Sequence, residues 1–296
     1  MARRETVDRF DRMSRRPFRG EAPKTDADME FIADYDKADA AMAKEIGAPA
    51  PAKTDPARIH LFNSKNEYLA GIAGRWGDKE AERRVSSQGF NSPDTGVVWT
   101  KRGDQAHDEY GMGHEMEHDG SLVVANTKPP AYDMINGQIE PIHVKDIKVG
   151  YWDLPTTLPP GEPHGLTEMV TDMSINKKLE LMGRPPIVPG YRPLDLLRSA
   201  LVRKVAEAHD DLTPAAVENG LILGMRTTDR SMLEKVRAVV GDEGLDTIVN
   251  MKAHLFGKEA IAIAQRLGLD TTELETYDAG RPVRYFDWQR ARPTQD

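Results

Sequence analysis

Apolar residues recur at helical spacing between residues 28 and 46, which predicts an amphipathic helix near the start of the chain. Thr25 and Asp28 have the spacing of a capping box, so the helix is expected to begin there. The following segment, residues 47–56, is rich in proline and is typical of a semi-rigid linker. The pattern therefore predicts a first helix that is separated from the main body of the chain.

The main body begins with two predicted strands and the helices that follow them. Branched and aromatic residues at 58–63 predict the first strand, and Ser64 has the position of the N-cap of the next helix. A turn is expected at residues 91–96, just before a second strand at 96–101. Asp104 can then cap a further helix.

Helical periodicity dominates the second half of the chain. After short predicted strands at 122–125 and 139–149, Leu166, Met169 and Met173 share one face of another amphipathic helix. Glycines stop the later helices. These are predicted at 193–209, from Thr213 and Pro214 onward, at 229–240, at 242–256 and at 258–267.

These elements predict an α+β protein in four parts. Residues 1–56 form a basic arm, the first helix and the linker, and residues 57–192 form a core with a small mixed sheet. An all-helical subdomain follows at 193–276, and residues 277–296 form an extended C-terminal tail. Seven arginines and three acidic residues lie within residues 1–20, so this arm is expected to be mobile. Both the arm and the tail are candidate docking segments for a protein partner.

The composition limits which metal sites and which binding partners are expected. The chain has no cysteine, so thiolate metal sites are excluded and a zinc ion would need histidine and carboxylate ligands. A net charge of −8 argues against a general nucleic-acid binder and favours peptide or protein partners. No segment approaches about 18 uninterrupted apolar residues, and the N-terminus lacks an apolar signal segment, so no membrane span is predicted. We therefore expect a cytoplasmic protein, with a virus particle or export by a non-classical route as alternatives.

The candidate chemistry concentrates in residues 113–120, where His114, Glu115 and His118 form an H-E-x-x-H pattern. On a helix the two histidines are one turn apart and present both imidazoles to one side. Glu115 can then accept a proton from a metal-bound water, as in hydrolytic zinc sites. The alternative interpretation is an exposed acidic helix that carries two histidines by chance, so the pattern needs a third ligand.

A third ligand is available on the later amphipathic helix. Glu168 and Asp172 lie one turn apart near its apolar stripe, where unpaired carboxylates would be costly. His114, His118 and Glu168 together with a water molecule would give the open arrangement of a catalytic zinc site. Asp172 would then accept the outer N–H of a ligand histidine and fix its tautomer. The alternative is an exposed helix face with a carboxylate pair.

The H-E-x-x-H pattern followed by the Glu168-x-x-x-Asp172 helix resembles the gluzincin class of zinc metallopeptidases, in particular its compact single-domain members. The resemblance covers residues 58–192 and implies a zincin-like catalytic core. It implies that both histidines and Glu168 are ligands of Zn²⁺ and that Asp172 supports one of those histidines. Glu115 would be the general base and acid.

The resemblance also suggests where a substrate binds. In the family, a strand just before the active-site helix forms the upper edge of the cleft and pairs with the extended substrate. Residues 97–100 occupy that place in order. A tyrosine or histidine stabilises the oxyanion, and Tyr191 is the candidate here, with His164 as the alternative. The implied activity is hydrolysis of peptide bonds in a peptide or protein substrate.

Two acidic residues depart from the family pattern. Glu117 and Asp119 stand where uncharged residues are preferred, and with Asp108 and Glu109 they either strengthen cation binding or form a solvated face, which is the interpretation we favour. A second function also stays open. The chain would then be a zincin-fold component of a larger assembly, such as a virus particle or secretion machine, with zinc structural or absent. The intact Glu115 favours the enzyme, because a scaffold needs no general base.

Overall fold

The computed structural model describes residues 12–85, 87–92, 95–101, 103–123, 130–135, 138–143, 148–149, 165–185, 192–227, 229–252 and 255–280, together with Tyr151, Leu154 and Thr157. Only the backbone is described for Ser92, for Gly280 and for the described residues within 119–150. Within these ranges the protein is α+β: it has a small mixed sheet of three strands, and most of its regular structure is helical. The predicted fold class is confirmed at this level.

The sheet is built around a buried central strand. Strands β1 (Ile59–Phe62) and β3 (Gly96–Thr100) run parallel, and β2 (Gly89–Ser92) runs antiparallel to β3 on its other side. Every residue of β1 and β3 is buried, as expected for strands with helices packed on them. The strands predicted at 58–63 and 96–101 are therefore confirmed.

Strand β2 was not predicted, because its residues Gly89, Asn91 and Ser92 have little strand propensity. It forms through its register with β3, in which Phe90 lies opposite Val98. Pairing with β3 therefore stabilises an extended conformation that the local sequence does not favour.

Two further pairs of short antiparallel strands precede the second half of the chain. They are β4 (Leu122–Val123) with β7 (Lys148–Val149) and β5 (Pro130–Ile135) with β6 (Gln138–His143). The predicted strands at 122–125 and 139–149 correspond to parts of these pairs. The hairpin of β5 and β6 begins at Pro130, nine residues before the start of the predicted strand at 139–149.

The helices account for most of the described chain. They are α1 (Asp26–Ile46), α2 (Lys65–Trp76), α3 (Asp78–Arg83), α4 (Gln105–Ser121), α5 (Gly165–Leu181), α6 (Arg192–Glu207), α7 (Pro214–Arg226), α8 (Ser231–Asn250), α9 (Gly257–Arg266) and α10 (Thr272–Gly280). Helix α8 is interrupted at Gly241, where φ is 76°, at the place where the sequence predicts one helix to end and the next to begin. No helix among the described residues combines the length and apolarity needed to cross a membrane.

Helix α1 begins with the capping box that the sequence predicts. Asp28 donates its backbone N–H to Thr25 Oγ1 at 3.2 Å, and Thr25 donates its own to Asp28 Oδ2 at 2.7 Å. The helix then packs along the whole body, with Phe31 in the core beneath the sheet and Met42 in the core of the C-terminal helices. It therefore belongs to the same packed body as the sheet, and residues 47–56 do not separate it from that body.

The described part of the N-terminal arm is packed as well. Phe18 is buried edge-on against the ring of His60 at 5.0 Å, and Ala22 forms an antiparallel bridge with Leu61 at the outer edge of β1. The expectation of a mobile arm is therefore wrong for residues 12–20. At the other end, residues 277–280 continue α10 instead of beginning an extended tail, and residues 281–296 lie outside the described residues.

Two glycines let α4 approach its neighbours closely. A Cβ atom on Gly111 would lie 2.1 Å from the ring of Trp99 on β3, and one on Gly113 would lie 2.4 Å from Ile175 on α5. Each glycine costs a helix about 1 kcal/mol relative to alanine. This cost is offset because the two glycines allow α4 to pack closely against the sheet and against α5.

We expect Gly111→Ala to lower the free energy of unfolding by about 1 to 3 kcal/mol, because the rigid indole of Trp99 must move to admit the methyl group. Gly74 on α2 is the matched control, since a Cβ there would meet nothing within 4 Å. Gly74→Ala should raise the free energy of unfolding by about 0.5 to 1 kcal/mol. Urea denaturation measures both, and stabilisation by both substitutions would contradict the close approach of α4 to β3.

Candidate metal centre

The histidines of α4 and the glutamate of α5 meet in the interior. His114 Nε2 lies 2.9 Å from Glu168 Oε2, and His118 Nε2 lies 3.2 Å from Glu168 Oε1. The two Nε2 atoms are 3.1 Å apart. All three side chains are buried, and their ligand atoms converge on one point, so this group could hold a metal ion.

The donor set can be tested against the geometry of a zinc ion. With zinc–ligand bonds of about 2.0 to 2.1 Å, the ligand atoms at the corners of a tetrahedron lie about 3.3 Å apart. His114 Nε2 and His118 Nε2 are 3.1 Å apart, and each lies close to a different oxygen of Glu168, at 2.9 and 3.2 Å. One ligand atom from each of the three residues can be chosen so that all lie within 4.8 Å of one another. A small outward movement of each atom would admit the ion. The side chains of His114, His118 and Glu168 therefore fit a zinc ion.

The outer ring nitrogens of both histidines also have partners. His114 Nδ1 lies 3.1 Å from Asp172 Oδ1, which accepts a second hydrogen bond from the hydroxyl of Tyr110. His118 Nδ1 lies 3.4 Å from Thr171 Oγ1. A proton on His114 Nδ1, donated to the carboxylate, leaves the lone pair of Nε2 directed at the convergence point. Asp172 therefore lies within hydrogen-bonding distance of the outer nitrogen of His114.

The electrostatics favour an ionised carboxylate at this point. Burial alone would raise the pKa of Glu168, but the charges of His118 and His114 and their hydrogen bonds outweigh it and hold the pKa well below its usual range. Burial would lower the pKa of His114, whereas the carboxylates of Glu168 and Asp172 raise it well above its ordinary value. The cluster therefore stabilises positive charge between its carboxylates, and a cation can supply that charge.

Glu115 lies beside the cluster without being one of its converging ligands. Its side chain is partly buried, and burial is the main reason why its pKa is raised. Glu168 also raises this pKa, while His114, His118 and Arg84 lower it. Glu115 is therefore close enough to interact electrostatically with the three converging side chains.

One expectation about the cleft is wrong. Residues 97–100 belong to β3, whose backbone is hydrogen-bonded to β1 on one side and to β2 on the other, so this strand cannot pair with a substrate. In the described sheet the outer strand nearest the histidine helix is β2, which packs against α4. Tyr191 and His164, the candidate oxyanion donors, lie outside the described residues.

The expectation that Glu117 lies on a solvated face is also wrong. Its side chain is fully buried and accepts hydrogen bonds from the hydroxyl of Tyr35 at 2.9 Å, from Lys178, and from Arg226 at 2.9 and 3.0 Å. Burial would raise the pKa of Glu117, but the charges of Arg226 and Lys178 hold it well below its usual range. Glu117 is thus an internal anion with a cation from each of two other helices.

These partners of the two buried clusters differ in how far they can be predicted from the sequence. Tyr110 stands one helical turn before His114, and that spacing could have indicated a side chain on the same face. Lys178 and Arg226 lie 61 and 109 residues from Glu117, and no local pattern connects them. Only the fold brings these charges together.

Comparison with models of protein families, with curated proteins and with solved structures finds no match to this chain. The geometry of the side chains therefore carries the assignment of this candidate metal centre.

Elemental analysis of the purified protein should find one zinc per chain after reconstitution, and Glu168→Ala should lose that zinc under mild chelation. The loss is expected because two histidines alone do not complete the three-ligand set. Glu180→Ala is the matched control, since Glu180 is exposed on the same helix. Equal zinc contents in Glu168→Ala and Glu180→Ala would contradict the assignment of Glu168 as a ligand.

Asp172→Ala should weaken zinc binding about 10- to 100-fold, because His114 loses the acceptor that fixes its ring. Thr171→Val is the comparison, and a smaller loss is expected there because its contact with His118 Nδ1 is long, at 3.4 Å. Competition with a chromophoric chelator measures both affinities. An affinity unchanged in Asp172→Ala would show that the carboxylate does not support the metal centre.

Proposed function

We propose that this protein is a zinc-dependent metallopeptidase of the gluzincin type, with a zincin-like core formed by the sheet, α4 and α5. The observation that carries the proposal is the triangle formed by His114 Nε2, His118 Nε2 and the carboxylate group of Glu168, whose two oxygens each contact one histidine; the contacts are 2.9 to 3.2 Å long. In the sequence this triangle comes from an H-E-x-x-H helix and a glutamate one turn before an aspartate.

The ligand types favour zinc over magnesium and calcium. Magnesium and calcium prefer sites made entirely of oxygen atoms, whereas two imidazoles and one carboxylate are a typical set for catalytic zinc. A set of three protein ligands leaves one tetrahedral position for water or substrate. His114 and His118 side chains each keep 11% of their surface exposed, so the proposed centre lies just beneath the surface and not deep in the core.

The chemistry assigned to the chain's own residues follows from their positions. When bound, zinc would lower the pKa of a coordinated water and polarise the carbonyl group of the scissile peptide bond. Glu115 accepts the proton of the attacking water on a carboxylate oxygen and passes it to the departing amine nitrogen. Asp172 holds the outer N–H of His114, which keeps the imidazole in the tautomer that a metal ligand needs.

The substrate is proposed to bind as an extended peptide along β2 (Gly89–Ser92), the outer strand beside α4. Main-chain pairing with a sheet edge binds peptides of many sequences, because it uses backbone groups that all peptides share. Tyr191 is proposed to donate a hydrogen bond to the developing oxyanion. The substrate class is therefore a peptide or an extended segment of a protein.

Glu115→Gln should abolish hydrolysis while zinc stays bound, because the amide cannot accept the proton of the attacking water. A peptide library analysed by mass spectrometry measures cleavage, and elemental analysis measures zinc. Glu109→Gln on the same helix is the matched control, since Glu109 forms an ion pair with Arg184 and is not among the converging ligands.

Full cleavage by Glu115→Gln would overturn the role of Glu115. A wild-type protein that holds zinc through Glu168 and cleaves no peptide would overturn the peptidase proposal. That result would favour a structural component of a larger assembly.

A further inference from the structure

A network of buried charges joins four helices next to the metal centre. Glu117 of α4 contacts Lys178 of α5 and Arg226 of α7, and both cations also contact Asp39 of α1. The hydroxyl of Tyr35, also on α1, donates to Glu117 at 2.9 Å and accepts from Lys178 at 2.6 Å. Two carboxylates and two cations balance, so the network as a whole is neutral.

Such a network fixes the positions of the helices that contribute to it. Each buried charge would be costly without its partners, so the helices cannot slide or rotate without breaking several charged hydrogen bonds at once. Lys178 and Glu117 are fully buried, and Arg226 has only 8% of its side chain exposed. Water therefore has little access to replace a lost partner.

The network contacts α4 directly beside the metal centre. On an α-helix, Glu117 is rotated by about 100° from His118 and by about 60° from His114, three residues earlier. The cations of α5 and α7 therefore bind α4 on a strip of its surface next to the one from which His114 and His118 project toward Glu168. Contacts on these adjoining strips restrain the rotation of α4 about its axis and its position along that axis.

We propose that Arg226 is a positioning residue for the metal centre, and that it acts through Glu117 on the placement of His118. The proposal rests on the zinc site proposed above, but not on the peptidase activity. Through Arg226, α7 would then help to position the metal centre, although it contributes none of the three converging ligands. The C-terminal helices would thus complete a site whose ligands all belong to α4 and α5.

The direction in which zinc affinity changes distinguishes a positioning role of Arg226 from a purely electrostatic one. Arg226→Met removes a positive charge near the proposed cation site, and electrostatics alone would make zinc bind more tightly. Loss of positioning has the opposite effect, because a metal site held loosely by about 1 Å binds less well. Weaker zinc binding in this variant would therefore report a displaced ligand helix.

The test measures zinc affinity of the full-length protein by competition with a chromophoric chelator. We expect Arg226→Met to bind zinc about 10-fold more weakly than the wild type, at the lower end of the effects seen for residues that support metal ligands. Arg226→Lys keeps one charge but loses the planar fork that spans Glu117 and Asp39, so its affinity should lie between the two. If Arg226→Met does not fold, the comparison of Arg226→Lys with the wild type decides.

Arg198→Met is the matched control. Arg198 pairs with Asp195 at 2.5 Å and with Glu218 at 2.8 Å, so its loss removes one cation that two carboxylates share, as the loss of Arg226 does. Arg198 lies on α6 and its carboxylate partners are on α6 and α7, and none of these three side chains pairs with Glu117 or with the converging ligands. Its substitution should lower the thermal unfolding midpoint of the zinc-free protein and leave zinc affinity unchanged.

Equal losses of zinc affinity in Arg226→Met and Arg198→Met would overturn the proposal, because both would then reflect general destabilisation. Zinc binding as tight as or tighter than in the wild type would also overturn it. In either case the zinc site would stand if Glu168→Ala still abolished binding. A wild-type protein that binds no zinc would overturn the zinc site and the role of Arg226 together.

Discussion

The close contact of α4 with α5 is the constraint on which the rest of the site depends. Gly113 removes the side chain that would collide with Ile175, so the two helices approach closely where the histidines project. At that distance one carboxylate of α5 reaches both imidazoles of α4, and Asp172, one turn later, reaches the far side of His114. A wider gap would leave these polar groups buried and unpaired.

The two buried polar clusters on α4 differ in their balance of charge. In the network of Glu117, two carboxylates face two basic side chains, Lys178 and Arg226, and no further ion is needed. In the candidate metal centre, Glu168 and Asp172 face histidines that carry no permanent charge. Buried negative charge requires compensation, by a proton on an imidazole or by a metal ion. The convergence of three ligand atoms on one point is what distinguishes a metal site from a simple ion pair.

Features that depend on neighbouring residues could be predicted from the sequence, and features that depend on distant residues could not. The capping box of α1, the helix that carries the histidines and the i, i+4 pairing of Glu168 with Asp172 all follow from local spacing. The central position of β3, the strand at Gly89–Ser92 and the burial of Glu117 depend on contacts made only after folding. The arm at residues 12–20 was misjudged because its arginines outnumber the apolar residues that anchor it.

The weak helical propensity of α4 links the site to the stability of the whole fold. Glycines and clustered charges make this helix unfavourable in isolation, so it must form through packing against the sheet, α5 and α7. Its histidines therefore have ligand geometry only in the folded chain. A metal ion that binds this geometry and not the unfolded chain stabilises the fold in proportion to the logarithm of its concentration relative to its dissociation constant. Metal binding at the candidate site would then act on the same equilibrium as the packing of the C-terminal helices, because both require α4 to be formed and correctly placed.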